Sequence, residues 1–224
     1  VIMESQSALR DMVDKHRTVY VKTIEGHLGR NITRISKIKD GFLVKRTGEA
    51  VGKRYRSLEG AYSALGWGAW EGRMLVQQSI SSPGKGSHFD VRVLMQKDRH
   101  NQWHFTGAAA RVGKAGMITT NLHTGGSAHS LAYVLKQRGF SEVQSKRTVD
   151  RLERAARLTV KALEGRTEAL GDVGLDYVID RNGNPWFLEA NPRAGRKSFA
   201  SLGKYVRRMA VSRPMEYALY LSGF

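Results

Sequence analysis

The chain has 224 residues, 41% of them hydrophobic, enough to bury a proper core in one large domain or two smaller lobes. Its 37 lysines and arginines against 20 aspartates and glutamates leave a formal charge of +17, which favours polyanions, nucleotides or acidic surfaces without dictating a fold. The absence of cysteine excludes disulfides and thiolate metal sites, and no apolar run of membrane-spanning length or charged-then-apolar signal segment occurs, so a cytoplasmic protein is expected.

The opening Val1-Ile2-Met3-Glu4 reads as a cut into a longer polypeptide. Ala8, Leu9, Met12 and Val13 recur at helical spacing and predict a helix over 6–16. Val19-Tyr20-Val21-Lys22 reads as a short strand, followed by a turn through Gly26 and Gly29 and a second strand over 31–35. Residues 41–45 and 53–56 make a further strand pair. Ser57 is the expected N-cap of a helix over 58–64, with Glu59 in its first turn. A strand over 73–80 leads into the flexible stretch 81–86, the expected seam between a smaller lobe (1–80) and a larger one (81–224). Strands over 88–96 and 103–112 join through 97–101, and a loop rich in glycine and threonine spans 113–126. The strongest helical signal covers 148–163, with Leu152, Ala155, Ala156, Thr159, Val160 and Leu163 on one face. Two apolar runs, 173–179 and 186–188, flank turn formers at 180–185, which predicts a hairpin with Asn182 and Gly183 supplying the positive-φ positions. A short helix over 215–221 closes the chain. Mixed strands with flanking helices argue for an α+β fold.

Five stretches carry residues suited to chemistry. Glu189 and Asn191 are two apart on an extended chain and share a face, and a turn near 182–183 can bring Asp176 across to them. Two carboxylates and an amide oxygen make a hard-oxygen set suited to Mg²⁺ and nucleotide phosphates, although a surface hairpin with solvated acids has the same letters. Lys22 precedes Gly26 and Gly29, and glycine amides with a strand-end lysine can approach phosphate oxygens; taken alone the letters are better explained by an ordinary β-turn with one exposed lysine, and the Walker A ending is absent. Gln77, Gln78 and Ser79 end a strand whose backbone could meet an adenine edge, or simply form a polar strand edge. Asp90 and Arg92 point to one face of a strand while Val91 and Val93 face the core, as a structural ion pair or as site groups; Arg111 ends a run of small residues and is placed to enter a cleft. Asn121, before the pair Gly125-Gly126, suits a loop folded tightly near a ligand or a plain connection.

In this order the features resemble the ATP-grasp superfamily, and within it the endospore-coat-associated YheC/YheD group. The chain is also similar to ligases that add glutamates to a ribosomal protein. The motifs are the Val19–Lys22 strand with its glycine loop, Leu75-Val76-Gln77, Asp90-Val91-Arg92, Asn121-Leu122 with Gly125-Gly126, and Asp176 followed by Glu189, Asn191 and Gly195. The resemblance implies two α+β lobes with the nucleotide between them and a preceding amino-terminal domain that this chain lacks. It implies that Lys22, Gly26 and Gly29 hold the nucleotide phosphates, that Gln77, Gln78 and Ser79 pass the adenine, and that Asn121 lies near the nucleotide. Asp90 would approach the ribose or the amino acceptor, Arg92 and Arg111 would stabilise phosphoryl transfer, and Asp176, Glu189 and Asn191 would bind Mg²⁺. Thr23 stands where members often carry proline and Arg30 where they carry glycine, changes that would alter loop closure.

The activity so implied is ATP-dependent joining of a carboxylate to an amine, the substrates including an amino acid or acidic peptide. A non-catalytic, spore-associated coat or interaction protein with the same fold is the second reading. Nucleic-acid binding would rest on charge alone, including Lys197, Lys204, Arg207 and Arg208, because no recognised motif accompanies it. No membrane partner is expected, and oligomeric state is left open.

Overall fold

The computed structural model describes residues 1–25, 31–120, 122, 125–166 and 170–223. The chain divides into two compact units, residues 1–79 with 113–124 and residues 80–112 with 125–224. The segment 113–124 therefore groups with the first unit although it lies far along the chain.

The first unit is an antiparallel sheet ordered β4-β3-β2-β1-β5, comprising β1 (Thr18–Thr23), β2 (Thr33–Ile38), β3 (Gly41–Arg46), β4 (Lys53–Tyr55) and β5 (Met74–Gln78). Helix α1 (Gln6–His16) starts where the Ser5 hydroxyl accepts from the Ala8 N–H at 3.3 Å, and α2 (Leu58–Ala64) where Ser57 accepts from Gly60 at 3.0 Å. Their apolar sides, Leu9 and Val13 on α1 and Leu58 and Ala61 on α2, close over Val19, Val21, Ile35, Val44 and Val76. The outer edge of β5 is covered near its start, where Met3 donates to the Met74 carbonyl and Val76 donates to that of Val1, both at 2.8 Å. Lys45 Nζ donates to the carbonyls of Ala50 and Gly116 at 2.5 and 2.6 Å, tying the 113–124 segment to β3.

The second unit is built on an antiparallel sheet ordered β10-β9-β6-β7-β8: β6 (Phe89–Lys97), β7 (Trp103–Val112), β8 (Ser127–Ser130), β9 (Asp172–Ile179) and β10 (Pro185–Asn191). Strand alternation sorts β6 cleanly. Phe89, Val91, Val93 and Met95 face a core completed by α3 (Leu131–Gln137) and α4 (Glu142–Glu164) through Leu131, Leu135, Leu152, Ala156 and Val160. Each of the valine, leucine, methionine and phenylalanine side chains among them contributes about 1.5–3 kcal/mol on burial. The opposite face carries Asp90, Arg92, Leu94 and Gln96; only its middle is apolar, where Leu94 and Ala109 pack with Ala194 and Phe199 from the segment after β10 and with Ala210 of the last helix, α5 (Lys204–Ser222).

Several elements depart from expectation. Strand β8 and helix α3 lie in a stretch that gave no predicted element. Helix α4 begins at Glu142 rather than 148 because Ser141 and Gln144 form a capping box ahead of the apolar stripe, with Ser141 Oγ accepting from Gln144 N at 3.2 Å and Gln144 Oε1 accepting from Ser141 N at 2.8 Å. Helix α5 runs from Lys204 and contains Pro214, where the sequence predicted only 215–221. The β9–β10 connection is organised by Asp180, whose Oδ1 accepts from the N–H groups of Asn182 and Asn184 at 2.9 and 2.8 Å. Gly183 alone of the expected pair has positive φ, at 75°, and a Cβ there would lie 2.4 Å from Thr148 Oγ1 of α4.

Candidate functional site

The polar half of the second sheet's open face gathers side chains from four adjacent strands. Register sets Asp90 opposite Arg111, Arg92 opposite Asp176, and Asp176 opposite Glu189. The last pairing is reached by an unexpected route. A two-residue turn at 182–183 would align Asp176 with Glu189 directly, but Ile179 pairs with Pro185, which would bring Leu188 there instead. The β-bulge after Phe187 adds the residue that restores Glu189.

Asp176, 2% exposed, is the centre of the cluster. Arg92 donates to it twice, from Nε to Oδ1 and from Nη2 to Oδ2 at 2.8 Å, and Arg111 Nη2 donates to the same Oδ2 at 2.9 Å. Arg111 also grips Asp90 bidentately, Nε to Oδ1 at 2.6 Å and Nη2 to Oδ2 at 2.7 Å. Burial opposes the charge on Arg111, but Asp90 and then Asp176 outweigh it and hold its pKa above the ordinary arginine value. The ion pairs therefore run across strands. The along-strand Asp90–Arg92 pair considered from sequence is not what forms, because neighbours on the same face of adjacent strands meet more closely than residues two apart on one strand.

Asn191 completes the group. Its Nδ2 donates to Glu189 Oε1 at 3.2 Å and to Asp176 Oδ2 at 3.5 Å, leaving the amide oxygen as a donor atom for a cation. Glu189 is exposed, whereas Asp176 is engaged by arginines. Among the described residues no group of three or more His, Cys, Asp or Glu forms a metal cluster. Two carboxylates and an amide oxygen nonetheless fit Mg²⁺, which uses one or two protein carboxylates and fills its octahedron with water and phosphate.

Gly174, on the same face as Asp176, makes this packing possible. A Cβ there would meet Ala194 Cβ at 2.9 Å and Arg92 Cδ at 3.1 Å, so only glycine lets the chain after Asn191 fold back over β9 beside the Arg92 stem. Gly174 and Arg196 escaped the sequence reading; a glycine inside an apolar strand was the available signal for the first.

Four other expected site residues, Lys22, Gln77, Gln78 and Ser79, lie in the first unit. Lys22 is half-buried on β1, opposite Leu75 of β5. Gln77 and Gln78 pair with Tyr20 and Val19, and Ser79 N donates to the Thr18 carbonyl at 3.0 Å. Gly26, Gly29 and Asn121 lie outside the described residues. Lys204, Arg207 and Arg208 are exposed in the first turns of α5, with Lys197 exposed shortly before it.

The sequence pattern of the family described as "YheC/D like ATP-grasp" matches residues 1–221. The chain belongs to this YheC/D-like ATP-grasp family. It is similar to endospore coat-associated protein YheD of Bacillus subtilis (strain 168), with 29% identity over 226 residues. That match covers 97% of this chain and 49% of YheD, so the chain spans about half the length of this relative. Among solved structures, biotin carboxylase from Campylobacter jejuni in its β-γ-ATP complex superposes with a TM-score of 0.59 at 17% identity, over 93% of this chain and 40% of that one. D-cycloserine synthetase DcsG gives a TM-score of 0.51 at 16% identity, over 98% and 61%. These likenesses establish the ATP-grasp fold, in keeping with the α+β class expected from sequence.

Proposed function

We propose that this ATP-grasp chain is an ATP-dependent carboxylate–amine ligase that binds MgATP and releases ADP and phosphate. One observation carries the reading: Asp176, Glu189 and Asn191 converge on the face that also presents Arg92 and Arg111. Phosphoryl transfer asks the protein chiefly for positioning and charge neutralisation, and this set of residues suits both.

Glu189 and Asn191 would hold Mg²⁺, with Asp176 shared between the ion and the arginines. The ion would neutralise charge on the phosphate oxygens. Asp90 orients Arg111 through its bidentate grip, so that Arg111 and Arg92 would meet the transferred group with their guanidinium planes already set. In the reaction, a substrate carboxylate oxygen bonds to the γ-phosphorus as the bond to ADP breaks. An amine nitrogen then bonds to the acyl carbon while phosphate leaves with the bonding pair and the amine gives up a proton. The two compact units would be the two ATP-grasp lobes, with Lys22, Gly26 and Gly29 at the phosphates, Gln77, Gln78 and Ser79 along the adenine, and Asn121 near the nucleotide. An amino acid or acidic peptide would be the substrate class drawn to so basic a chain.

The relative's name, endospore coat-associated protein, supports a spore location and also a second reading, a coat or interaction protein that keeps the fold without turnover. Nucleotide binding measured calorimetrically with and without Mg²⁺, followed by ADP release across amino acids and short peptides, separates the two. The ligase reading expects Mg²⁺ to tighten ATP binding and Glu189→Ala to abolish that effect in a folded protein. Unchanged MgATP affinity in well-folded Glu189→Ala would remove the metal site, and ATP binding without ADP release on any substrate pair would favour the coat protein.

A further inference from the structure

Helix α5 contains Pro214, which has no N–H, so the carbonyl of Ala210 four residues earlier lacks its usual helical donor. Ala210 is 2% exposed, and a carbonyl there without a partner would be costly. Two side chains from outside the helix donate to it instead, Gln96 Nε2 at 3.1 Å and Arg196 Nε at 3.0 Å.

Arg196 uses its remaining nitrogens on two further acceptors. Nη1 donates to the Ala194 carbonyl at 2.6 Å, and Nη2 donates to Asp172 Oδ2 at the start of β9. One guanidinium thus joins α5, β9 and the segment that leaves β10. Its planar fork reaches three fixed directions, which a lysine ammonium on a flexible stem does not reproduce. Pro192, Arg193, Ala194 and Gly195 separate Asn191 from Arg196, and the buried Ala194 lies against the Gly174 backbone position, beside Arg92 Cδ. The clamp therefore sets the path of the chain directly after Asn191 and the space in which the Arg92 stem lies.

We infer that Arg196 is a positioning residue for the Glu189–Asn191 end of the site, acting through the carbonyl that Pro214 leaves open; this rests on the metal-binding reading above. Arg196 does not touch the candidate ligands. It fixes the backbone from which Asn191 projects, as outer-shell groups do at metal sites.

The test compares Arg196→Lys and Pro214→Ala with the parent, at a temperature where all are folded. The readouts are the Mg²⁺ concentration that half-saturates the tightening of ATP binding and the amide hydrogen exchange of residues 190–196 in metal-free protein. Arg196→Lys should raise the Mg²⁺ half-saturation roughly 10-fold, within the range for outer-shell changes, and speed exchange over 190–196, with metal-free ATP affinity unchanged. Pro214→Ala restores an N–H that competes for the Ala210 carbonyl, so it should shift the Mg²⁺ titration in the same direction while melting no lower than the parent. A merely structural Arg196 would lower the melting temperature and leave the titration superimposable. An unchanged titration in either variant overturns the inference, and Pro214→Ala carries the test if Arg196→Lys fails to fold. Glu189→Ala separates the two levels. If it keeps the Mg²⁺ effect, the metal reading and this inference fall together; if it abolishes the effect while Arg196→Lys does not move it, only this inference falls.

Discussion

Replacing Asp176 with Asn keeps the shape of the side chain and removes the one charge that holds two guanidinium groups together. In the parent, Asp176 accepts from Arg92 at both oxygens and from Arg111 at one, with Asp90 as the second carboxylate of a formally neutral set. The substitution leaves two cations and one anion in place. Removing one partner of a buried pair costs about 3–5 kcal/mol. Two features pull the estimate to the low end: Arg111 keeps its bidentate bond to Asp90, and the Arg92 side chain is 13% exposed, so water reaches part of it. A loss of about 3 kcal/mol corresponds to a melting temperature lower by roughly 6–12 °C for a chain of this size. Thermal and urea unfolding followed by circular dichroism reads this directly. Adding Arg92→Met should recover part of the loss, because it removes a guanidinium that has lost its partner, giving a coupling of about 0.5–3 kcal/mol. A melting temperature within about 2 °C of the parent for Asp176→Asn would refute the argument, since it would mean the cluster is solvated and its charges uncoupled.

Lys22→Ala should weaken ATP binding more than adenosine binding, because the lost charge is proposed to face phosphate; equal losses in a calorimetric comparison would place Lys22 elsewhere. Acid should destabilise the chain through Asp98 and Asp180. Burial would raise the Asp98 carboxyl, but hydrogen bonds from the Gln102 N–H, His104 and the His100 N–H outweigh it and hold the pKa at about 2. Burial likewise opposes ionisation of Asp180, and the Trp186 indole with the Asn184 and Asn182 donors brings it below the ordinary value. Both are depressed in the folded state, so their contribution is complete above the unfolded value of 3.8 and is lost as pH falls through the folded values. Urea midpoints should therefore be level above about pH 5 and fall towards pH 2, less steeply in Asp98→Asn; identical acid limbs would contradict the assignment.

Much of this protein is local and so was legible in the sequence. Helix α1 and α2, with Ser57 as cap, follow from side-chain period and capping chemistry that act within a few residues. The face shared by Asp90 and Arg92, with Val91 and Val93 turned to the core, follows from strand alternation, as does the common face of Glu189 and Asn191. What tertiary structure decided is everything that depends on a partner distant in the chain. The ion pairs join residues on different strands, and the bulge after Phe187, which no propensity announces, determines that Glu189 rather than Leu188 faces Asp176. Pro214 marks the division most plainly. By itself a proline stops a helix, because it removes a donor; here α5 passes through it because Gln96, far away in sequence, and Arg196, from the segment before the helix, arrive to bond the carbonyl it leaves open.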